Sequence, residues 1–196
     1  LTIPFTKIAA QSGPQPLDPM VEVRIGDDGS ASQAAFYIAA ERGYFEEVGI
    51  RPRFITFRSS ADMLPPLATN DLQVAGGIIS LGLFNALDRG VDVKIIGDKG
   101  HNMEGKSYFS VAIRADLADE IREISDLRGR TILLFSLESA NEMMADWFLR
   151  AGGLTRQDVD LRGGFSGAEM LAALANRTAD VIFVTEPTIS QGQAQG

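Results

Sequence analysis

The sequence contains no cysteine and a single histidine, His101, among 196 residues. Without cysteine there is no disulfide, no thiolate nucleophile, no thiolate metal site and no lipid-modified cysteine, so redox chemistry leaves the compartment open. No apolar run approaches the roughly 20 residues that span a bilayer. Basic residues are also sparse. Eighteen Lys and Arg against 26 Asp and Glu give a net charge of -8, and no basic cluster exists that would neutralise several phosphates, so nucleic acid is not an expected partner. Reactive signatures are missing too: there is no G-x-S-x-G elbow, no H-E-x-x-H pair and no Walker loop. No enzyme is therefore expected, and no cofactor or metal.

What is present is material for a core, since 45% of residues are hydrophobic and the length suits one large domain or two small ones. Residues 21–57 carry the clearest pattern. Val21, Val23 and Ile25 alternate with Glu22 and Arg24, a polar loop covers 27–32, an apolar helical run covers 34–45, and a β-rich segment covers 50–57. That order, strand, loop, helix, strand, is the crossover unit of a parallel sheet. The rhythm continues with a helix start at Ser59 to Asp62, a short strand at 71–76, a helix through Leu83, Phe84 and Leu87, and a further strand at 91–97. Residues 99–106 (KGHNMEGK) interrupt it and read as an interlobe crossing. Strands are expected again at 108–113 and 131–135, then an amphipathic helix at 141–151 with Met144, Trp147 and Phe148 inward. A weak strand at 158–162, a helix at 168–176 and a strand at 180–184 complete the series. The fold class is α/β, built as doubly wound sheets flanked by helices. Four prolines within 1–20 leave that segment without a period, so it reads as an extended arm. Leu1 in place of an initiator Met reads as a processed or trimmed chain.

Three phrases carry a resemblance: ERGYFEEVGI at 41–50, DLRGR at 126–130 before a strand, and ALANRTADVIFVTEP at 173–187. Together with the intervening runs they resemble the solute-binding proteins of ABC importers, within the group that binds sulfonate, nitrate, taurine and thiamine precursors. The resemblance implies a two-lobed fold of periplasmic-binding-protein type II, with lobe one at 21–105, lobe two at 106–187, and the start of a return segment at 188–196. In that pattern the chain returns to complete lobe one, so lobe one is expected to be incomplete here. It further implies capture of a small polar or anionic organic solute by a monomer outside the cytoplasm, periplasmic in the first instance, with an ABC permease in the membrane as partner. Two alternatives stay open. One is a thiamine-pyrimidine-synthase-like enzyme, whose cysteine-rich segment this chain lacks; the other is a ligand-sensing module of a regulator or receptor.

Candidate ligand-binding residues follow from the physics of anion and polar-group binding at helix N-termini lying at strand C-terminal ends. They are Ser30 and Ser32 before the first helix, Ser59 and Ser60 before the second, Gly77, Ile78 and Ser80 before the third, and Ser136, Glu138 and Ser139 before the first helix of lobe two. Taken singly each is also an ordinary cap. Tyr37 is a candidate for stacking, His101 and Asn102 for contact from the interlobe loop, Phe165 for a place at a strand-to-helix junction, and Glu186 for a place at the return hinge. Arg162 is the nearest charged alternative for an anion. The loop at 27–32 is expected to form one jaw of a clamp facing 136–139.

Overall fold

A computed structural model describes residues 15–100, 103, 104, 107 and 109–195. Lobe one is built on a three-stranded parallel sheet of order β2-β1-β3, formed by β1 (Val21–Asp27), β2 (Ile50–Thr56) and β3 (Val74–Ala75). The alternation at 21–25 sets the register, which runs from Val21 opposite Ile50 to Asp27 opposite Thr56. β1 goes under cover toward its C-terminal end, where Ile25, Gly26 and Asp27 are buried. Its polar exit therefore opens at the buried end of the sheet.

The helical run after β1 is broken in two. α1 (Ala34–Glu41) and α2 (Tyr44–Glu47) are separated at Gly43, whose φ of 75° is one that glycine adopts without a Cβ penalty. α3 (Leu64–Ala68) is short because Pro65 and Pro66 fit a first turn but cannot donate further along. α4 (Leu81–Asp88) follows β3 and starts on a Ser80 side chain that accepts from Leu83 N.

Lobe two holds four strands in the order β4-β7-β5-β6, namely β4 (Phe109–Ile113), β5 (Thr131–Leu133), β6 (Asp160–Arg162) and β7 (Val181–Thr185). β4 is antiparallel to β7 and the other pairs are parallel. All five residues of β7 are buried, with Val181 and Phe183 in one apolar cluster and Ile182 and Val184 in another. Successive residues thus fill the cores on both faces of the sheet, as a central strand with helices on both sides requires. α5 (Ala140–Ala151) packs on the first face through Ala145 and Leu149, and α6 (Gly167–Ala175) on the second through Met170. α7 (Thr188–Gln195) follows β7 and packs Ile189 beside α6's cluster.

Two expectations are corrected. Residues 91–97 form no strand, and Ile95 and Ile96 are 63% and 83% exposed. β-rich composition makes a strand only where a partner edge is in hydrogen-bonding reach, and β3 pairs only with β1 among the described residues. Trp147 is not inward but 63% exposed, because the buried stripe of α5 runs through Asn141, Ala145 and Leu149 at helical spacing and leaves Trp147 off it. The arm is described only from Gln15. There Leu17 N donates to Val48 O at 3.0 Å, tying the segment to the turn before β2.

Candidate functional site

The C-terminal ends of the parallel strands in the two sheets meet along a seam, and the segments that follow them touch in three places. The loop after β3 bridges the loop after β5: Ser80 and Ser139 form an antiparallel bridge, Leu81 N donates to Glu138 O at 2.7 Å, and Ala140 N donates to Ile79 O at 3.1 Å. The loop after β1 meets the end of β7, where Ala31 N donates to Glu186 O at 2.7 Å. The loop after β2 meets the start of α6, with Arg58 Nη2 2.6 Å from Glu169 Oε1. The jaws are therefore paired differently from expectation. Residues 27–32 face Glu186, and it is 79–81 that face 138–140. How two sheets lie against each other is set by tertiary packing, and no local pattern encodes it.

At the exit of β1 a polar cluster has formed around Asp27 and Asp28. Asp28 Oδ1 accepts from Ser30 N at 3.2 Å and Gln33 Nε2 at 3.1 Å, and its Oδ2 accepts from Ser60 Oγ at 3.2 Å. Burial opposes ionisation of Asp28, but the charge of Lys99 and the hydrogen bonds from Ser30 and Gln33 outweigh it and hold the carboxyl below its ordinary range. Asp27 is buried, accepting from Gly29 N at 2.5 Å and from the Tyr37 hydroxyl at 2.5 Å. The Tyr37 ring lies 4.7 Å from that of Phe54. Loss of solvent around the hydroxyl, its bond to Asp27 and the two nearby carboxylates push the Tyr37 phenol up to about 12. Ser30 and Ser32 pair through their hydroxyls at 2.8 Å. Lys99 donates to Gly76 O at 2.6 Å; burial pulls its pKa down against the opposing pull of Asp28 and Asp27.

Ser59 is buried and its hydroxyl donates to Asp62 Oδ2 at 3.1 Å. In lobe two, Ser136 and Ser139 are buried and bonded to each other at 3.0 Å, while Ser139 Oγ also accepts from Asn141 N at 3.2 Å. Glu138 stands exposed with a φ of 52°. Phe165 packs on the Met170 cluster of the lobe-two core and lines neither of the two cavities described below. Glu186 Oε2 accepts from Ser190 N at 3.1 Å in the first turn of α7. Arg162 is paired with Asp160 at 2.5 Å. His101 and Asn102 lie outside the described residues.

Two cavities flank the bridge between Ser80 and Ser139. One of about 620 Å³ lies on the seam between Ile79, Leu81 and Phe84 of lobe one and Glu138, Ser139 and Met143 of lobe two. The other, of about 750 Å³, gathers Ser60, Gly77, Ile78 and Ser80 at the same end as Lys99 and extends over Val74 and Ile96. The structure thus brings Ser60, Gly77, Ile78 and Ser80 to one cavity, and Ser80, Glu138 and Ser139 to its neighbour. Sequence reasoning passed over Asp28, Gln33, Lys99, Arg58 and Glu169. Two of these had a visible signal: an Asp doublet closing an apolar strand, and the S-x-x-E capping pattern of Ser166 and Glu169.

The description "NMT1/THI5 like" belongs to a family model that matches residues 30–195. No curated protein matches the sequence. Among solved structures, the ligand-binding component of an ABC-type import system from Staphylococcus aureus, with zinc bound, superposes with a TM-score of 0.74 at 14% identity, covering 90% of this chain and 58% of that one. The periplasmic aliphatic sulphonate binding protein SsuA from Escherichia coli gives 0.60 at 19% identity, with 89% of this chain and 54% of the other covered. The periplasmic nitrate-binding protein NrtA from Synechocystis PCC 6803 gives 0.64 at 15% identity, with 88% and 50% covered. The chain therefore spans 50% to 58% of the length of these structures and shares their two-lobed α/β fold. Among the described residues no group of three or more His, Cys, Asp or Glu is placed to hold a metal, and no helix is long and apolar enough to cross a membrane.

Proposed function

The chain belongs to the NMT1/THI5-like family, and from that premise we propose that it is the solute-binding part of an ABC importer. In this reading a small organic solute is held between the two lobes outside the cytoplasm, by a monomer, and passed to a membrane permease without chemical change. The observation that carries it is the seam itself. Loops at the C-terminal ends of both sheets converge there, touching through a few polar contacts that a hinge motion can break and remake, with cavities on either side of the bridge between Ser80 and Ser139. The solved structures that share the fold are those of binding proteins, which supports the same reading.

The test is a thermal-shift screen of the full chain against small organic anions, cations and neutral heterocycles. A solute at about 100 times its Kd stabilises the bound form by about 2.7 kcal/mol, and the bound molecule is then recovered and identified by mass spectrometry. Recovery of an unaltered solute supports transport binding. Recovery of a converted product replaces it with an enzyme, and silence across all three classes removes the solute reading.

A further inference from the structure

Three of the hydrogen bonds across the seam join backbone groups and carry no net charge: Ala31 N to Glu186 O, Leu81 N to Glu138 O and Ala140 N to Ile79 O. The contact between Arg58 Nη2 and Glu169 Oε1 is of another kind, a full ion pair at 2.6 Å that links one lobe to the other.

Both ends of the pair are held before it forms. Glu169 belongs to the capping box of α6, where its Oε2 accepts from Ser166 N and from the Ser166 hydroxyl, each at 2.8 Å, and its Oε1 is left for Arg58. The start of α6 is itself wedged in place, since Gly167 has no room for a Cβ against Thr188 at the start of α7. In lobe one, Arg58 sits between two anchored neighbours. Phe57 N donates to Asp27 O at 2.8 Å, and Ser59 is buried with its hydroxyl on Asp62. Most exposed ion pairs gain little because two long side chains must be ordered to make them. Here the cap has already fixed the carboxylate, so the arginine side chain alone is ordered when the pair closes. Hydrogen bonds from Ser166, backbone and hydroxyl, and then the charge of Arg58 hold Glu169 below the ordinary carboxylate range against a loss of solvent, so both partners are charged at neutral pH.

The pair is also open to its surroundings. The side chains of Arg58 and Glu169 are 66% and 43% exposed, so dissolved salt screens them, over about 10 Å at 0.1 M and about 3 Å at 1 M. We propose that Arg58 and Glu169 form an electrostatic latch that holds the lobes closed and sets how readily they part, so that rising ionic strength loosens the clamp. The inference rests on the solute-binding reading, which supplies the hinge motion that the latch restrains.

The test reads lobe separation directly. Glu41 and Gln157 are exposed, one on each lobe, and the chain has no cysteine of its own. Glu41→Cys with Gln157→Cys therefore takes one pair of spin labels, whose distance distribution is measured on the full chain without solute by double electron–electron resonance. Arg58→Met and Glu169→Gln are each expected to raise the ratio of open to closed molecules by about two- to five-fold. Gln at 169 keeps the capping box, so the start of α6 stays formed. The double variant is expected to open no further than either single one. Raising the salt from about 0.1 M to about 1 M should open the parent by a similar factor and leave the variants where they are. Single substitutions whose effects add overturn the pairing, because the two side chains then act apart. Distances that neither variant nor salt changes overturn the latch, while the solute screen, read separately, still decides the solute-binding role.

Discussion

The two lobes begin from the same plan and end very differently. In each, three parallel strands share one arrangement, the earliest of the three in the middle, the next on one side and the last on the other, giving β2-β1-β3 in lobe one and β6-β5-β7 in lobe two. Lobe two adds β4, antiparallel along the outer edge of β7, and so buries β7 completely. β3 has no such neighbour among the described residues and is only two residues long. The consequence is in the cores. Both apolar clusters belong to lobe two, whereas lobe one contributes Ile25, Met63 and Leu72 to the buried set and exposes Ile79, Leu81, Phe84, Ile95 and Ile96. A sheet edge without a strand costs more than its ladder hydrogen bonds, because the helices beyond it lose the surface they would pack on.

The largest expected effect is on the complete side. Phe183 is 1% exposed, with the rings of Phe148 and Phe109 centred 5.5 and 5.9 Å away. Phe183→Ala should destabilise lobe two by about 3–5 kcal/mol, read from urea unfolding. If the loss spread equally over probes in both lobes, the lobes would share one cooperative core and the contrast between them would fail.

Next is a close approach in lobe one. A Cβ on Gly76 would lie 2.2 Å from Gln33 Oε1, and Gln33 has no exposed surface to retreat into. Gly76→Ala should cost about 1–3 kcal/mol through overpacking. A loss within about 0.5 kcal/mol, the range of surface substitutions, would show that the Asp28 cluster is loose.

Smaller is the cap of α6. Ser166 and Glu169 form a reciprocal capping box, and Ser166→Ala should cost about 1 kcal/mol in lobe two. No measurable change in the unfolding midpoint would mean that Arg58 and Glu169 alone hold that helix start.

The smallest effect is at the bare edge. Ile96 is 83% exposed, and Ile96→Ser should change stability by no more than about 0.5 kcal/mol. A loss several times larger would show that residue 96 is covered in solution, and the difference between the lobes would shrink accordingly.

Local pattern carried much of this molecule. The alternation at 21–25 placed β1 and the Ser-before-helix pattern placed helix starts, whereas the apolar run at 34–45 hid the break at Gly43 and the S-x-x-E box at Ser166 and Glu169 went unread. It misled at 91–97 and at Trp147, where β propensity and hydrophobicity were read without the partner surface that decides them. Period and turn chemistry act between residues a few positions apart, so a single sequence displays them. What only the tertiary structure decided is which ends meet. It brought Ser80 to Ser139, Ala31 to Glu186 and Arg58 to Glu169, contacts between residues more than fifty positions apart in the chain. It also turned Ser60 and Ser59, which read as free anion donors, into partners of Asp28 and Asp62. Such pairings depend on the packing of two sheets and on carboxylates folding back onto nearby N-H groups, and the balance of charge at the seam follows from them.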